Sequence, residues 1–121
     1  MRSSSYKDLI AWQKSCILAV DIYKLTSDMP KKEQFGLISQ MQRASVSIAS
    51  NIAEGSKRNT NKDFVHFLTI AHGSSAELET QLIILKELNF VNNEKIDILI
   101  EKTNEVMRIL GKLIYSIKNK N

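Results

Sequence analysis

Cysteine, proline, glycine and histidine are all scarce in this chain: one Cys, one Pro, four Gly and two His among 121 residues. The single thiol, Cys16, cannot close a disulfide within the chain, which excludes a disulfide-stapled secreted scaffold and fits a reducing compartment. Bundle metal sites of the di-iron type draw on Glu-x-x-His from two helices, and no Glu-x-x-His occurs anywhere in this sequence. The best constellation for an enzyme is Asp63 with His66, plus Glu54 and Glu77 as further carboxylates. No Ser, Cys or Thr stands in a nucleophile motif. A non-enzymatic protein without metal or cofactor is therefore expected. Apolar runs are far shorter than the ~20 residues of a membrane span, and the polar start Met1-Arg2-Ser3-Ser4-Ser5 leads into no apolar segment. Those absences set the expectation of a cytoplasmic protein.

What is present is the composition of one folded domain. Hydrophobic residues make up 43% and charged residues 25% of the chain, well away from the signature of disorder. So few Gly and Pro imply long uninterrupted elements, and apolar spacing of three and four residues predicts helices over about 6–26, 32–54, 62–88 and 93–118. The predicted inward stripes are Leu9, Trp12 or Gln13, Cys16, Val20 and Tyr23 in the first helix; Phe35, Ile38, Met41, Ser45, Ile48 and Ile52 in the second. The third carries Phe64, Phe67 or Leu68, Ala71, Ser75, Leu78, Leu82 and Leu85, the fourth Ile96, Leu99, Thr103, Val106, Leu110, Leu113 and Ile117. Pro30 separates the first two helices, Gly55 is placed to cap the second, and Thr60 or Asn61 can cap the third. Short connections between helices of similar length predict an all-α, antiparallel up-down-up-down four-helix bundle over residues 1–121. Neighbouring apolar residues such as Ile83 with Ile84 and Ile98 with Leu99 and Ile100 widen the stripes, so some apolar surface must face outward. A homo-oligomer is expected from that surplus.

From Arg43 to Arg58 the chain reads Arg-Ala-Ser-Val-Ser-Ile-Ala-Ser-Asn-Ile-Ala-Glu-Gly-Ser-Lys-Arg, followed by Asp63-Phe64, Phe67-Leu68, Ile70-Ala71, Gly73-Ser74-Ser75 and Glu77-Leu78-Glu79-Thr80. With Tyr6-Lys7-Asp8-Leu9, Trp12-Gln13 and Tyr23, this pattern resembles the 23S rRNA intervening-sequence protein family over nearly the whole chain. The resemblance implies a four-helix bundle and a ring-like homopentamer, encoded by a gene often found inside bacterial 23S rRNA genes. It also implies kinship with the accessory variability determinant proteins of diversity-generating retroelements, which work with a reverse transcriptase and RNA.

Several residues then invite a role. Arg43 and Glu77 fall at one level of neighbouring antiparallel helices and are expected to pair, fixing register. Asn51 and Glu54 could bond the 57–62 loop, and Gly73 with Ser74 and Ser75 would let two helices approach closely. Charge placement is more informative. In the bundle topology Arg2, Lys7, Lys57, Arg58, Lys62, Lys118 and Lys120 share one end with only Asp8, Glu54 and Asp63, so the entire formal charge of +4 collects there. Lys57, Arg58, Lys62, Lys7, Lys118 and Lys120 are the candidate contacts for an RNA or DNA backbone, bound without base reading. The alternative is a structural ring that binds a protein partner such as a polymerase, with the charge serving solubility alone.

Overall fold

The computed structural model describes residues 5–120. Among them are four α-helices, α1 (Ile10–Thr26), α2 (Ser39–Ser56), α3 (Asn61–Leu88) and α4 (Asn93–Lys118), and no strand. Their ends follow from local chemistry. The Thr60 hydroxyl accepts the Asp63 amide at 3.1 Å and starts α3. The Asn92 side chain accepts the Glu94 amide at 2.7 Å and starts α4. Between them Asn89 takes the left-handed conformation at φ 58°, ψ 33°, which Asn tolerates better than most residues and which ends a helix.

Cross-helix pairs fix the directions. Lys14 meets Glu105 at 3.4 Å, Asp21 meets Lys102 at 2.8 Å and Asp28 meets Lys95 at 3.4 Å, so α4 descends as α1 ascends. Lys86 meets Asp97 at 2.8 Å, which sets α4 against α3. The Ser47 and Ser74 hydroxyls lie 3.0 Å apart, while Gly55 abuts Phe64 and Phe67, so α2 and α3 also run oppositely. Each helix packs on the next in sequence and α1 closes on α4. The exposed ion pairs contribute at most about 1 kcal/mol each, and the interior carries the stability. It is a continuous layer that includes Leu18, Ile22, Met41, Ile48, Leu68, Leu82 and Leu110. Buried hydroxyls turn back onto their own helices, Ser15 donating to the Ala11 carbonyl at 2.6 Å and Thr103 to that of Leu99 at 2.7 Å.

The inward stripes of α3 and α4 fall where their spacing predicts, with Leu68 rather than Phe67 in the core. The first two helices differ. The chain enters through a tight turn at Tyr6–Asp8 capped by Ser5, and α1 begins only at Ile10. Its buried face is Ala11, Ser15, Leu18, Ile22 and Leu25; Leu9, Trp12 and Cys16 flank it half-buried, and Val20 and Tyr23 face outward. This helix is apolar nearly all round, so spacing offered two faces. Packing chose the one in which small Ala11 and Ser15 alternate with bulky neighbours.

The second helix is not continuous from residue 32. A tight turn at Lys31–Glu33 leads into a wide turn at Gln34–Ile38, where Gly36 leaves the helical region at φ −110°, ψ −112°. A wide turn holds an extra residue and so rotates the segment before it relative to the helix after it. Ile38, Met41, Ser45, Ile48 and Ile52 therefore stay buried while Phe35 is turned out to 96% exposure.

Two glycines correct the sequence reading in opposite ways. Gly55 does not cap α2, which continues through it to Ser56. A Cβ there would stand 2.7 Å from Phe67 Cβ and 3.1 Å from Phe64 Cδ1, so its missing side chain lets α2 and α3 cross closely. Gly73 does the reverse: a Cβ there meets nothing within 4 Å, and the close approach beside it comes from Ser74 and Ser75. Gly55→Ala is expected to cost about 2 kcal/mol through overpacking, lowering the melting temperature by roughly 8 °C. Gly73→Ala should raise stability by about 0.5–1 kcal/mol, because alanine restrains the unfolded chain and meets no clash. Urea denaturation followed by circular dichroism checks both signs.

Candidate nucleic-acid interface

The antiparallel order brings the start of α3 and the end of α4 to one end of the bundle. There Asn61, Lys62 and Val65 face Ile117, Lys118 and Lys120 across a cleft of about 340 Å³. Three ammonium groups thus line one concavity floored by the apolar bodies of Val65 and Ile117. No carboxylate lines it, although Asp63 stands one residue away in the first turn of α3. Lysines on apolar stems can follow an irregular anionic surface, since each head group remains free to move. The first amides of α3 add a partial positive charge, which Asp63 in turn reduces.

The other predicted cations are placed differently. Arg58 is engaged: its guanidinium meets Glu54 at 2.8 Å and lies over the Phe67 ring at 4.7 Å from the centroid. This pair joins the end of α2 to α3 and offsets one positive charge. Lys57 sits exposed just past the end of α2. Lys7 lies in the turn before α1, and its carbonyl takes a hydrogen bond from the Gln13 side chain at 2.8 Å. Neither lines the cleft, and Arg2 lies outside the described residues. Spacing alone could not separate an Arg held by Glu54 from a Lys left free.

The residues assigned a structural part divide likewise. Glu54 bonds the 57–62 loop through Arg58, but Asn51 does not; its amide donates to the Ser47 carbonyl at 2.9 Å and to the Ser47 hydroxyl at 3.0 Å. Asn51, Ser47 and Ser74 make a polar seam between α2 and α3. Arg43 and Glu77 do not pair within 4 Å; they line, with Phe35, Ser39, Gln40 and Ser47, a second cleft of about 460 Å³ between the same helices. The wide turn before α2 was the feature that sequence reasoning missed, and Gly36 within an apparently helical run was its one available signal.

The constellation singled out for an enzyme is spread over two places. Glu54 is held by Arg58 at the basic end, Glu77 lies in the α2–α3 cleft, and His66 stands edge-on to the Phe67 ring at 5.4 Å. Among the described residues no group of three His, Cys, Asp or Glu could hold a metal ion. Nor is any described helix long and apolar enough to cross a membrane.

Set beside known proteins, residues 7–112 match the model of a family described as 23S rRNA-intervening sequence protein. A solved structure from Bacteroides thetaiotaomicron, described as a protein with unknown function from the S23 ribosomal protein family, is similar at 27% identity and a TM-score of 0.77. It covers 87% of this chain and 98% of its own. No curated protein matches the chain. The matched region stops before Lys118 and Lys120, so two of the three lysines in the basic cleft lie beyond it.

Cys16 is half-buried, and desolvation pushes its thiol pKa above the ordinary value. The thiolate is the reactive form, so a raised pKa slows attack at neutral pH. Cys16 should react with a disulfide reagent at pH 7.5 several-fold more slowly than free cysteine, and the gap should narrow as the pH passes 9.

Proposed function

The chain belongs to the 23S rRNA-intervening sequence protein family, and from that premise we propose that it is a non-enzymatic, oligomeric bundle that holds the phosphate backbone of RNA or DNA against its basic end. The observation that carries this reading is the convergence of Lys62, Lys118 and Lys120 on one cleft without a lining carboxylate. Along the seams of α4 with α1 and α3 the charges offset one another: Lys14, Lys86, Lys95 and Lys102 are all paired with carboxylates. A phosphate backbone approaching the basic end meets a cluster of unbalanced positive charge.

Contact of this kind is sequence-tolerant. Lysines act as point charges toward phosphate, whereas base reading needs side chains that present paired donors and acceptors to a groove or aromatic faces to unstacked bases. Of the aromatics near this end, the Tyr6 ring is already edge-on to Trp12 at 5.3 Å, and the Phe67 ring lies under the Arg58 guanidinium. In a ring of copies, five by the family resemblance, equivalent clefts would present their lysines together, and affinity would rise by simultaneous engagement.

A protein scaffold is the second reading, favoured by one observation: Phe35 stands almost wholly in solvent, as a side chain meant for another surface would.

Fluorescence anisotropy of labelled duplex DNA and of structured rRNA fragments, at 50 and 200 mM salt, separates the two. With about four phosphate contacts per copy, affinity should fall roughly 100-fold between these salts. The triple variant Lys62→Glu, Lys118→Glu, Lys120→Glu should lose binding while its circular dichroism is unchanged. Absence of binding at 50 mM salt would overturn the nucleic-acid reading and leave the scaffold.

A further inference from the structure

Phe35 is held outward by its surroundings and is not on a loose loop. Pro30 precedes its segment, Leu37 and Ile38 anchor it on the core, and Gly36 lies against the Glu33 side chain, whose Oε1 is 3.5 Å from where a Cβ would stand. The exposed ring is thus an apolar knob on an anchored turn, two residues along the chain from Glu33, whose carboxylate lies against Gly36 of the same turn.

On the other flank of α2 the same molecule carries a matching hollow. Ala19, Val20, Tyr23, Lys24 and Ser27 of α1 and its end, with Val46 of α2, line a groove of about 550 Å³. Val20, Tyr23 and Val46 remain 54%, 49% and 42% exposed within it. Lys24 at its rim makes no ion pair among the described residues.

We infer that Phe35 of one copy seats in the α1–α2 groove of the next, with Glu33 of the first facing Lys24 of the second. Charge complementarity selects this occupant: the knob is flanked by a carboxylate and the groove by an ammonium, both otherwise unpaired. A copy cannot fill its own groove, because Phe35 lines the α2–α3 cleft and the groove lies between α1 and α2. Knob and groove are different surfaces of one chain, so the contact is head-to-tail. Repeated contacts of that type close into a ring when the rotation between copies divides a full turn. The inference rests on the oligomeric part of the function proposed above and names the interface that would build it.

Light scattering on gel-filtered full-length protein tests it, using Phe35→Ser to remove the knob and Val46→Glu to block the groove. Both positions are exposed, and unaltered circular dichroism confirms that each variant folds. Wild type should be an oligomer and each variant alone a monomer. An equimolar mixture should give a dimer of twice the monomer mass and nothing larger, because the Val46→Glu chain still offers Phe35 and the Phe35→Ser chain still offers its groove. Reversing Glu33→Lys should weaken the wild-type assembly at least tenfold, and adding Lys24→Glu should restore it. A wild-type monomer at micromolar concentration would overturn both this inference and the oligomeric reading. A wild-type oligomer whose mass survives Phe35→Ser, or variants that stay monomeric when mixed, would overturn the inference alone.

Discussion

At the crossing of α2 and α3 a side chain is missing, and that vacancy organises one end of the bundle. Gly55 allows the backbone of α2 to lie against Phe64 and Phe67 at a separation no other residue would permit. With the helices this close, the Ser47 and Ser74 hydroxyls can meet halfway along the seam. The short link from Ser56 to Asn61 can then turn without spanning a gap. Phe67 is also left accessible beneath Arg58, so the close crossing and the placement of that guanidinium have a common origin.

Charge is distributed by a similar economy. Lys14 and Asp21 on α1 and Asp28 in the turn just past its end recur every seven residues, and each meets an opposite charge on α4. Such exposed pairs add little stability but cancel the field along the sides. Among the described residues the positive excess is consequently weighted toward one end, where Lys57, Lys62, Lys118 and Lys120 gather. A moderate +4 can then matter to a polyanion that a uniform +4 would scarcely attract.

Much of this was legible from the order of residues. The inward stripes of α3 and α4 were legible because their apolar spacing runs unbroken over many turns, although Ile83, Ile84 and Ile98 widen them and stay exposed, and Thr60 caps α3 as one of the two positions the sequence offered. Where the reading failed, the pattern was ambiguous in a physical sense. The first helix is apolar on more than one face, and only the neighbours decide whether Val20 and Tyr23 or Leu18 and Ile22 turn inward. Phe35 sits at helical spacing from Ile38, but one extra residue in the turn at Gly36 changes its direction; spacing carries no mark of such an insertion. Gly55 looked like a terminator because glycine serves both as a cap and as a close-contact residue, and these roles are separable only once the facing helix is known. At the basic end, the sequence located the lysines, whereas the capture of Arg58 by Glu54 and Phe67 needed three-dimensional neighbours.

The ladder of ion pairs on the α1–α4 seam bears on how the chain assembles. Asp21 and Lys102 are 81 residues apart, whereas the other seams join helices that follow one another directly. Closing so long a loop is entropically the most demanding step, and it becomes favourable once α2, α3 and α4 already present a partial surface for α1 to cover. The seam that joins the first helix to the last is therefore the costliest in loop entropy, and its order of charges, Lys14, Asp21 and Asp28 against Glu105, Lys102 and Lys95, disfavours a misregistered approach.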